Sequence, residues 1–263
     1  MSRIKNLFDK KNKNVLNVYC TAGFPQLDST LQVMKSLQEN GVDLIELGIP
    51  YSDPLADGET IQQSGSIALK NGMTIKLLFR QLANLRKSPA FGGVGEAVPV
   101  ILMGYLNPVL QYGFEQFCAD AANLGIDGLI LPDMPPHEFE TTYSSVLKKY
   151  GLDFIFLVTP ETSEERVKKL DELSSGFLYA VSSSSTTGKE KNFSDVEKYL
   201  QKLQSYNLQN PVLTGFGVKD KATFQSVCKY SDGAIIGTAY IKALENAEDI
   251  EEATKVFLQS VLA

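Results

Sequence analysis

Eight short apolar runs rich in β-branched residues recur along the chain. They are Val15 to Tyr19, Asp43 to Gly48, Pro99 to Met103, Gly128 to Leu131, Phe154 to Val158, Phe177 to Val181, Pro211 to Leu213 and Gly233 to Ile236. They are continuous rather than alternating, as strands buried on both faces are. Helical periods lie between them, such as Leu31, Met34 and Leu37 before Asn40-Gly41, and Val167, Leu170 and Leu173 before Ser174-Ser175-Gly176. Asp28 is an expected N-cap. Acids also open helices at Ser163-Glu164-Glu165 and at Glu248, Asp249 and Glu251, where the helix dipole favours them.

Most strand starts are 22 to 34 residues apart, the length of a strand-helix unit making a right-handed parallel crossover. The exception is the interval from 43 to 99. It shows one helical pattern, Thr74 to Arg86, between two stretches that read as irregular, Ile49 to Met73 and Lys87 to Val98. Long loops inside a compact fold are uncommon and often functional. Eight buried strands alternating with helices in 263 residues fit a closed (β/α)8 TIM barrel better than an open sheet, since no run is short and charged enough for an edge. The expectation is one domain, 1–263, with an extra N-terminal helix and a long loop after strand two. The nearest approach to low complexity, Ser182 to Ser185, falls at a strand end.

Charge and residue counts restrict the function. Twenty-five basic against 31 acidic residues give a net charge of -6, which repels a nucleic-acid backbone overall but leaves room for a local phosphate site. Cys20, Cys118 and Cys228 are too few and too scattered for a disulfide framework or a zinc motif, and read as buried thiols. His137 is the only histidine, which rules out paired-histidine metal sites. It reads as an exposed helix start after Pro135-Pro136. No signal-peptide pattern opens the chain and no 18-residue apolar run occurs, so a soluble cytoplasmic protein without a membrane partner is expected.

In a barrel of this kind, chemistry sits at the C-terminal ends of the strands. On strand two, Ile45, Leu47 and Ile49 share the helix-facing side, so Glu46 points inward between Leu44 and Gly48. A carboxylate inside a barrel costs several kcal/mol unless it is paired, hydrated or neutral. The bland alternative is a structural ion pair. The functional one is an acid-base group with a raised pKa. In the following loop, Pro50 to Gly58, Asp53 and Asp57 are equal candidates for a second carboxylate, and Asp-Pro and Asp-Gly are also ordinary turn pairs.

Thr214-Gly215-Phe216-Gly217 follows strand seven and Gly237-Thr238-Ala239 follows strand eight. Glycines there let backbone amides approach an anion, as in the recurrent phosphate site of these barrels; Gly188 after strand six is a third candidate. The alternative is that they only make tight turns. Gly92-Gly93-Val94-Gly95 is no dinucleotide fingerprint, because it neither follows a strand nor opens a helix. Gly188-Lys189 lacks a Walker A spacing. No lysine falls on an inner strand end, which disfavours imine chemistry, and the lone histidine disfavours a metal aldolase. Acid-base chemistry by carboxylates on a small phosphorylated substrate remains.

The run Glu46-Leu47-Gly48-Ile49-Pro50-Tyr51-Ser52-Asp53-Pro54-Leu55-Ala56-Asp57-Gly58, with Thr60-Ile61-Gln62, resembles the signature of the tryptophan synthase α-subunit family. The resemblance spans nearly the whole chain through Tyr19 with Thr21 to Pro25, Met103 to Pro108, Leu131 to Pro135, Thr187-Gly188, Gly215 to Gly217 and Gly237 to Ala239. It implies a TIM barrel that cleaves indole-3-glycerol phosphate to indole and glyceraldehyde 3-phosphate without metal or cofactor. Glu46 matches the proton-transferring glutamate, and Asp57 matches the aspartate that holds the indole N-H. Tyr19, Met103, Tyr105 and Tyr179 match substrate-site positions, and Thr187, Gly188, Gly217, Gly237 and Thr238 match the substrate and phosphate contacts. It further implies a β subunit carrying pyridoxal phosphate (PLP), in an αββα complex, meeting the loop that holds Asp53, Pro54 and Asp57.

Two departures stand out. Thr238 replaces a usual serine and keeps the hydroxyl. Ser183-Ser184-Ser185-Thr186 replaces the Arg-x-Gly-Val of many members, so the family's loop closure does not carry over by resemblance. A barrel that only binds or activates a partner, and a standalone lyase that releases indole, are the competing expectations.

Overall fold

Each of the eight runs forms extended backbone in the computed structural model, which describes residues 2–87, 97–181, 193–215 and 217–263. The strands are β1 (Val15–Thr21), β2 (Leu44–Gly48), β3 (Val100–Met103), β4 (Gly128–Ile130), β5 (Asp153–Phe154), β6 (Leu157–Val158), β7 (Leu178–Ala180), β8 (Val212–Thr214) and β9 (Gly233–Ile236). All pair in parallel, in the order β5-β4-β3-β2-β1-β9-β8-β7-β6. The ends of that order, β5 and β6, are two halves of the single run at 154 to 158. Between them the Ile155 N–H donates to the Leu129 carbonyl at 3.1 Å, and the Phe156 carbonyl accepts from the Tyr179 N–H at 3.0 Å. The fifth strand thus binds β4 on one side and β7 on the other, and the ring closes as a TIM barrel.

Alternation along each strand sorts the side chains into two cores. Outward residues such as Ile45, Leu47, Val100, Leu102 and Leu129 pack against helices. Inward, each strand run contributes to a separate layer of Val15, Leu44, Ile101, Ile130, Ile155, Phe177, Leu213 and Ile235. The N-terminal helix Arg3–Lys10, capped by Ser2 accepting from the Lys5 N–H, adds Ile4 and Phe8 to that layer. The expected extra helix is therefore a plug in the floor of the barrel, with the Phe8 ring 6.3 Å from that of Phe177. At the same end, buried Asp127 binds Arg3 at 2.6 Å and Arg86 at 2.8 Å and accepts from the Val100 N–H at 2.8 Å. This pins the plug to the β3 and β4 edge.

Two local readings need correction. The stretch from Ile49 to Met73 is not irregular throughout, since it contains a helix, Glu59–Lys70. Its buried positions are Ser64, Gly65 and Ala68, so a face of small and polar residues packs inward and leaves no apolar stripe to read. Asp28 does not cap the following helix, which runs Thr30–Glu39 from Ser29 with no side-chain cap. Asp28 instead accepts from Gln81 Nε2 at 3.3 Å. Ser163 and Asp249 do cap their helices, accepting from the N–H groups of Arg166 and of Glu251 and Glu252.

The three cysteines are free and buried. His137 is exposed, within the short helix Pro136–Glu138. Among the described residues no helix is long and apolar enough to cross a membrane. Gly92 to Gly95 and Ser182 to Ser185 lie outside the described residues.

Candidate active site

β2 turns Glu46 inward, as its alternation requires, and only 1% of the residue is exposed. Its Oε2 accepts from Asn17 Nδ2 at 3.0 Å. Burial pushes the carboxyl up to about 8; the Asn17 hydrogen bond opposes the rise and the charge of Asp57 adds to it. Near neutral pH this group is mostly a protonated acid, yet close enough to its pKa to give and retake a proton.

Asp57 reaches the site from the loop after β2, half-buried where Asp53 is exposed. Burial raises its pKa and a hydrogen bond from Tyr105 restrains the rise. Tyr105, buried after β3, also accepts from the Ala56 N–H at 2.9 Å, so one phenol holds two adjacent loop residues. Tyr51 packs on the Tyr105 ring at 5.3 Å, and its hydroxyl accepts from Asn107 Nδ2 at 3.1 Å. The Leu106 N–H donates to both Asp133 oxygens, at 2.9 and 3.0 Å. The loops after β2, β3 and β4 are thereby tied together. Ser52 Oγ donates to Asp53 at 2.5 Å, a local turn contact.

Tyr19 is opposite Glu46 in the β1/β2 register. A β-carbon at Gly48 would lie 2.0 Å from its phenol oxygen, and one at Gly215 would lie 2.7 Å from that of Tyr179. Two inward glycines thus create the room for two inward tyrosines. Both phenols titrate well above their ordinary range because they are buried, and the charges of Asp57 and Glu46 act on both. Glu46, Asp57, Tyr19 and Tyr179 therefore share one electrostatic environment. Met103 borders it, half-buried at the end of β3.

β8 and β9 are hydrogen-bonded neighbours, so the segments that follow them emerge side by side. Gly217 has φ +55 with open space where a β-carbon would be. Gly237 is the N-cap of the helix Thr238–Glu245, whose first-turn N–H groups have no acceptor within the helix. Thr238 is exposed there. Thr187 and Gly188 lie outside the described residues. Among the described residues no group of three or more His, Cys, Asp or Glu side chains is placed to hold a metal ion.

The sequence reading passed over Asn17. Period two from Val15 puts Val15, Asn17 and Tyr19 on one face, so the same argument that singled out Glu46 could have found it. It also passed over the buried hydroxyl pair Thr21 and Ser64, 2.7 Å apart, which joins β1 to the helix Glu59–Lys70.

A closed parallel barrel with a buried glutamate and a half-buried loop aspartate at the C-terminal ends of its strands has the architecture of a TIM-barrel enzyme. Residues 5–261 match the family model "Tryptophan synthase alpha chain". The tryptophan synthase alpha chain of Bacteroides thetaiotaomicron is 45% identical over 96% of this chain and 96% of its own length. The crystal structure of tryptophan synthase subunit alpha from Legionella pneumophila superposes with a TM-score of 0.87 at 34% identity, covering 99% of this chain and 97% of that one. A chain of the crystal structure of the tryptophan synthase complex from Pyrococcus furiosus gives a TM-score of 0.84 at 32% identity, covering 96% of this chain and 99% of that one. The chain belongs to the tryptophan synthase alpha chain family. It is a lyase of tryptophan biosynthesis, and the reaction of that family is the cleavage of indole-3-glycerol phosphate.

Proposed function

We propose that this chain performs the retro-aldol cleavage of indole-3-glycerol phosphate with Glu46 as proton carrier and Asp57 as the fixed anion. The bond between indole C3 and the glycerol chain breaks heterolytically, and its electron pair must enter the ring. Protonation at C3 by Glu46 makes the ring an electron sink, and Asp57, accepting from the indole N–H, stabilises the positive charge that develops. Glu46, now a carboxylate, takes the proton of the 3′-hydroxyl, the carbonyl of glyceraldehyde 3-phosphate forms, and indole leaves. A carboxyl with a pKa near 8 suits both steps in turn. The single observation that carries this reading is that Glu46 is fully buried within electrostatic reach of Asp57.

Tyr19, Met103, Tyr105 and Tyr179 would enclose the indole. The amides at Gly217, Gly237 and Thr238, with Thr187 and Gly188, would hold the phosphate. The chain would need no cofactor of its own. A β subunit carrying PLP would dock on the loop around Asp53, Pro54 and Asp57 and receive the indole, with the whole chain, 1–263, acting as one domain in the cytoplasm.

The test is indole release from indole-3-glycerol phosphate by the purified chain, with and without a β subunit. Glu46→Gln should bind glycerol phosphate normally and lose at least about a thousandfold in turnover, and Asp57→Asn about a hundredfold. Near-normal turnover by Glu46→Gln would reject the assignment. No release by the unaltered chain in either condition would favour a barrel that only activates its partner.

A further inference from the structure

Asn17 is fully buried on β1, opposite Leu44 and so two register positions below the level of Glu46 in the β1/β2 pairing. Its Nδ2 donates to Glu46 Oε2 at 3.0 Å, the only hydrogen bond to that carboxyl among the described residues. Its Oδ1 is buried and finds no hydrogen-bond partner among the described residues. A buried amide with one unused end costs free energy that an apolar residue on this inner face would not, because the desolvated carbonyl is not compensated. The neighbouring inward positions of the same layer are apolar: Leu44, Ile101 and Ile235. An asparagine with an unpartnered buried carbonyl beside an apolar layer, and whose side-chain N–H goes to the buried acid, is placed to act on that acid.

We propose that Asn17 is a positioning residue for Glu46: its amide fixes the carboxyl rotamer at the barrel mouth and sets the balance between the protonated and ionised forms. This deepens the reading of Glu46 as proton carrier and rests on it. A donated N–H stabilises the carboxylate over the neutral acid, whereas burial does the reverse. The other groups that act on Glu46 push the same way as burial or are themselves neutral. The charge of Asp57, from the loop after β2, adds to the rise. Tyr19 and Cys20 on β1 and Tyr179 on β7 are held un-ionised by burial. Among the described residues, Asn17 is therefore the one group that favours the charged state. Without it, Glu46 would hold its proton more tightly and become a reluctant donor to C3, and its carboxyl would lose the contact that orients it.

The experiment follows the Glu46 carboxyl directly. The band of its protonated form, assigned in isotope-edited infrared difference spectra by its absence in Glu46→Gln, is titrated in the unaltered chain, in Asn17→Leu and in Asn17→Val. The midpoint should move to higher pH by about one unit in either variant, since one unit corresponds to one hydrogen bond's preference for the charged form. Turnover should fall about tenfold with KM changed less than about twofold, and the alkaline limb of the rate profile should move with the band. An unchanged or lowered midpoint in a folded variant overturns the proposal. If neither variant folds, the side-chain amide resonances of Asn17 in the unaltered chain decide. They should titrate with the same midpoint as the Glu46 band, and pH-independent resonances overturn it. Because the band reports protonation without turnover, failure here is distinguishable from failure of the catalytic reading, in which Glu46→Gln would remain active.

Discussion

Glu46 gives the clearest prediction at the scale of one residue, because its pKa in the fold, about 8, lies far above the ordinary value of 4.5. The folded state binds this proton more tightly than the unfolded state does. The stability it contributes is therefore complete below about pH 4.5 and is lost as pH rises through about 8. Urea midpoints of the unaltered chain and Glu46→Gln should be close at pH 5 and separate at pH 9. The variant should then be the more stable by on the order of a few kcal/mol. An equal gap at both pH values would contradict the buried, raised carboxyl. In the rate profile, cleavage should fall above about pH 8 as the acid needed at C3 ionises. A steady-state pH series checks this, and a profile flat to pH 10 would count against Glu46 as the proton donor. The inward, buried placement of Glu46 was legible from alternation alone. Spacing left Asp53 and Asp57 equal, because both occupy turn-like positions, and only the family resemblance pointed to Asp57; in the folded loop, with Tyr105 reaching across from β3, Asp57 is half-buried and Asp53 exposed.

Among the elements, the strands were legible because burial on both faces leaves continuous apolar runs, and the parallel topology followed from their spacing. The helix Glu59–Lys70 escaped because Ser64, Gly65 and Ala68 form its buried side. Close approach to β1 demands small residues there, and small residues carry no hydrophobic period. The N-terminal helix shows the opposite case, since its two buried residues, Ile4 and Phe8, both enter the barrel floor, with half-buried Leu7 packed against them. Phe8→Ala should cost about 3–5 kcal/mol, the transfer free energy of the ring plus the cavity it leaves. It should leave KM almost unchanged because the plug lies at the end opposite the mouth. Chemical denaturation of the variant beside its kinetics tests both halves. A loss below about 1 kcal/mol would mean that the floor repacks and the helix is not a structural plug.

For the whole molecule, the surplus of acidic residues, net charge -6, says little about the ligand if the phosphate is held by backbone amides at Gly217, Gly237 and Thr238. More informative is Leu55, 83% exposed in the loop between Asp53 and Asp57. A large apolar side chain so far in solvent, two residues from the aspartate proposed to hold the indole, fits a surface that a partner covers. Leu55→Asp should keep thermal stability within about 0.5 kcal/mol while reducing stimulation by a β subunit at least about tenfold. A titration of indole release against the β subunit measures this. Unchanged stimulation would place the docking surface elsewhere.

The plugged floor has one more consequence. With Ile4, Phe8 and the layer above them filling the lower half, the barrel is a cup among the described residues, and the proposed reactant and both products would share its upper doorway. The loop that delivers Asp57 and the strand ends beside Gly217 and Gly237 form the rim of that doorway. Whatever closes over the rim decides at once what enters, how long the fragments remain together and in which direction indole departs.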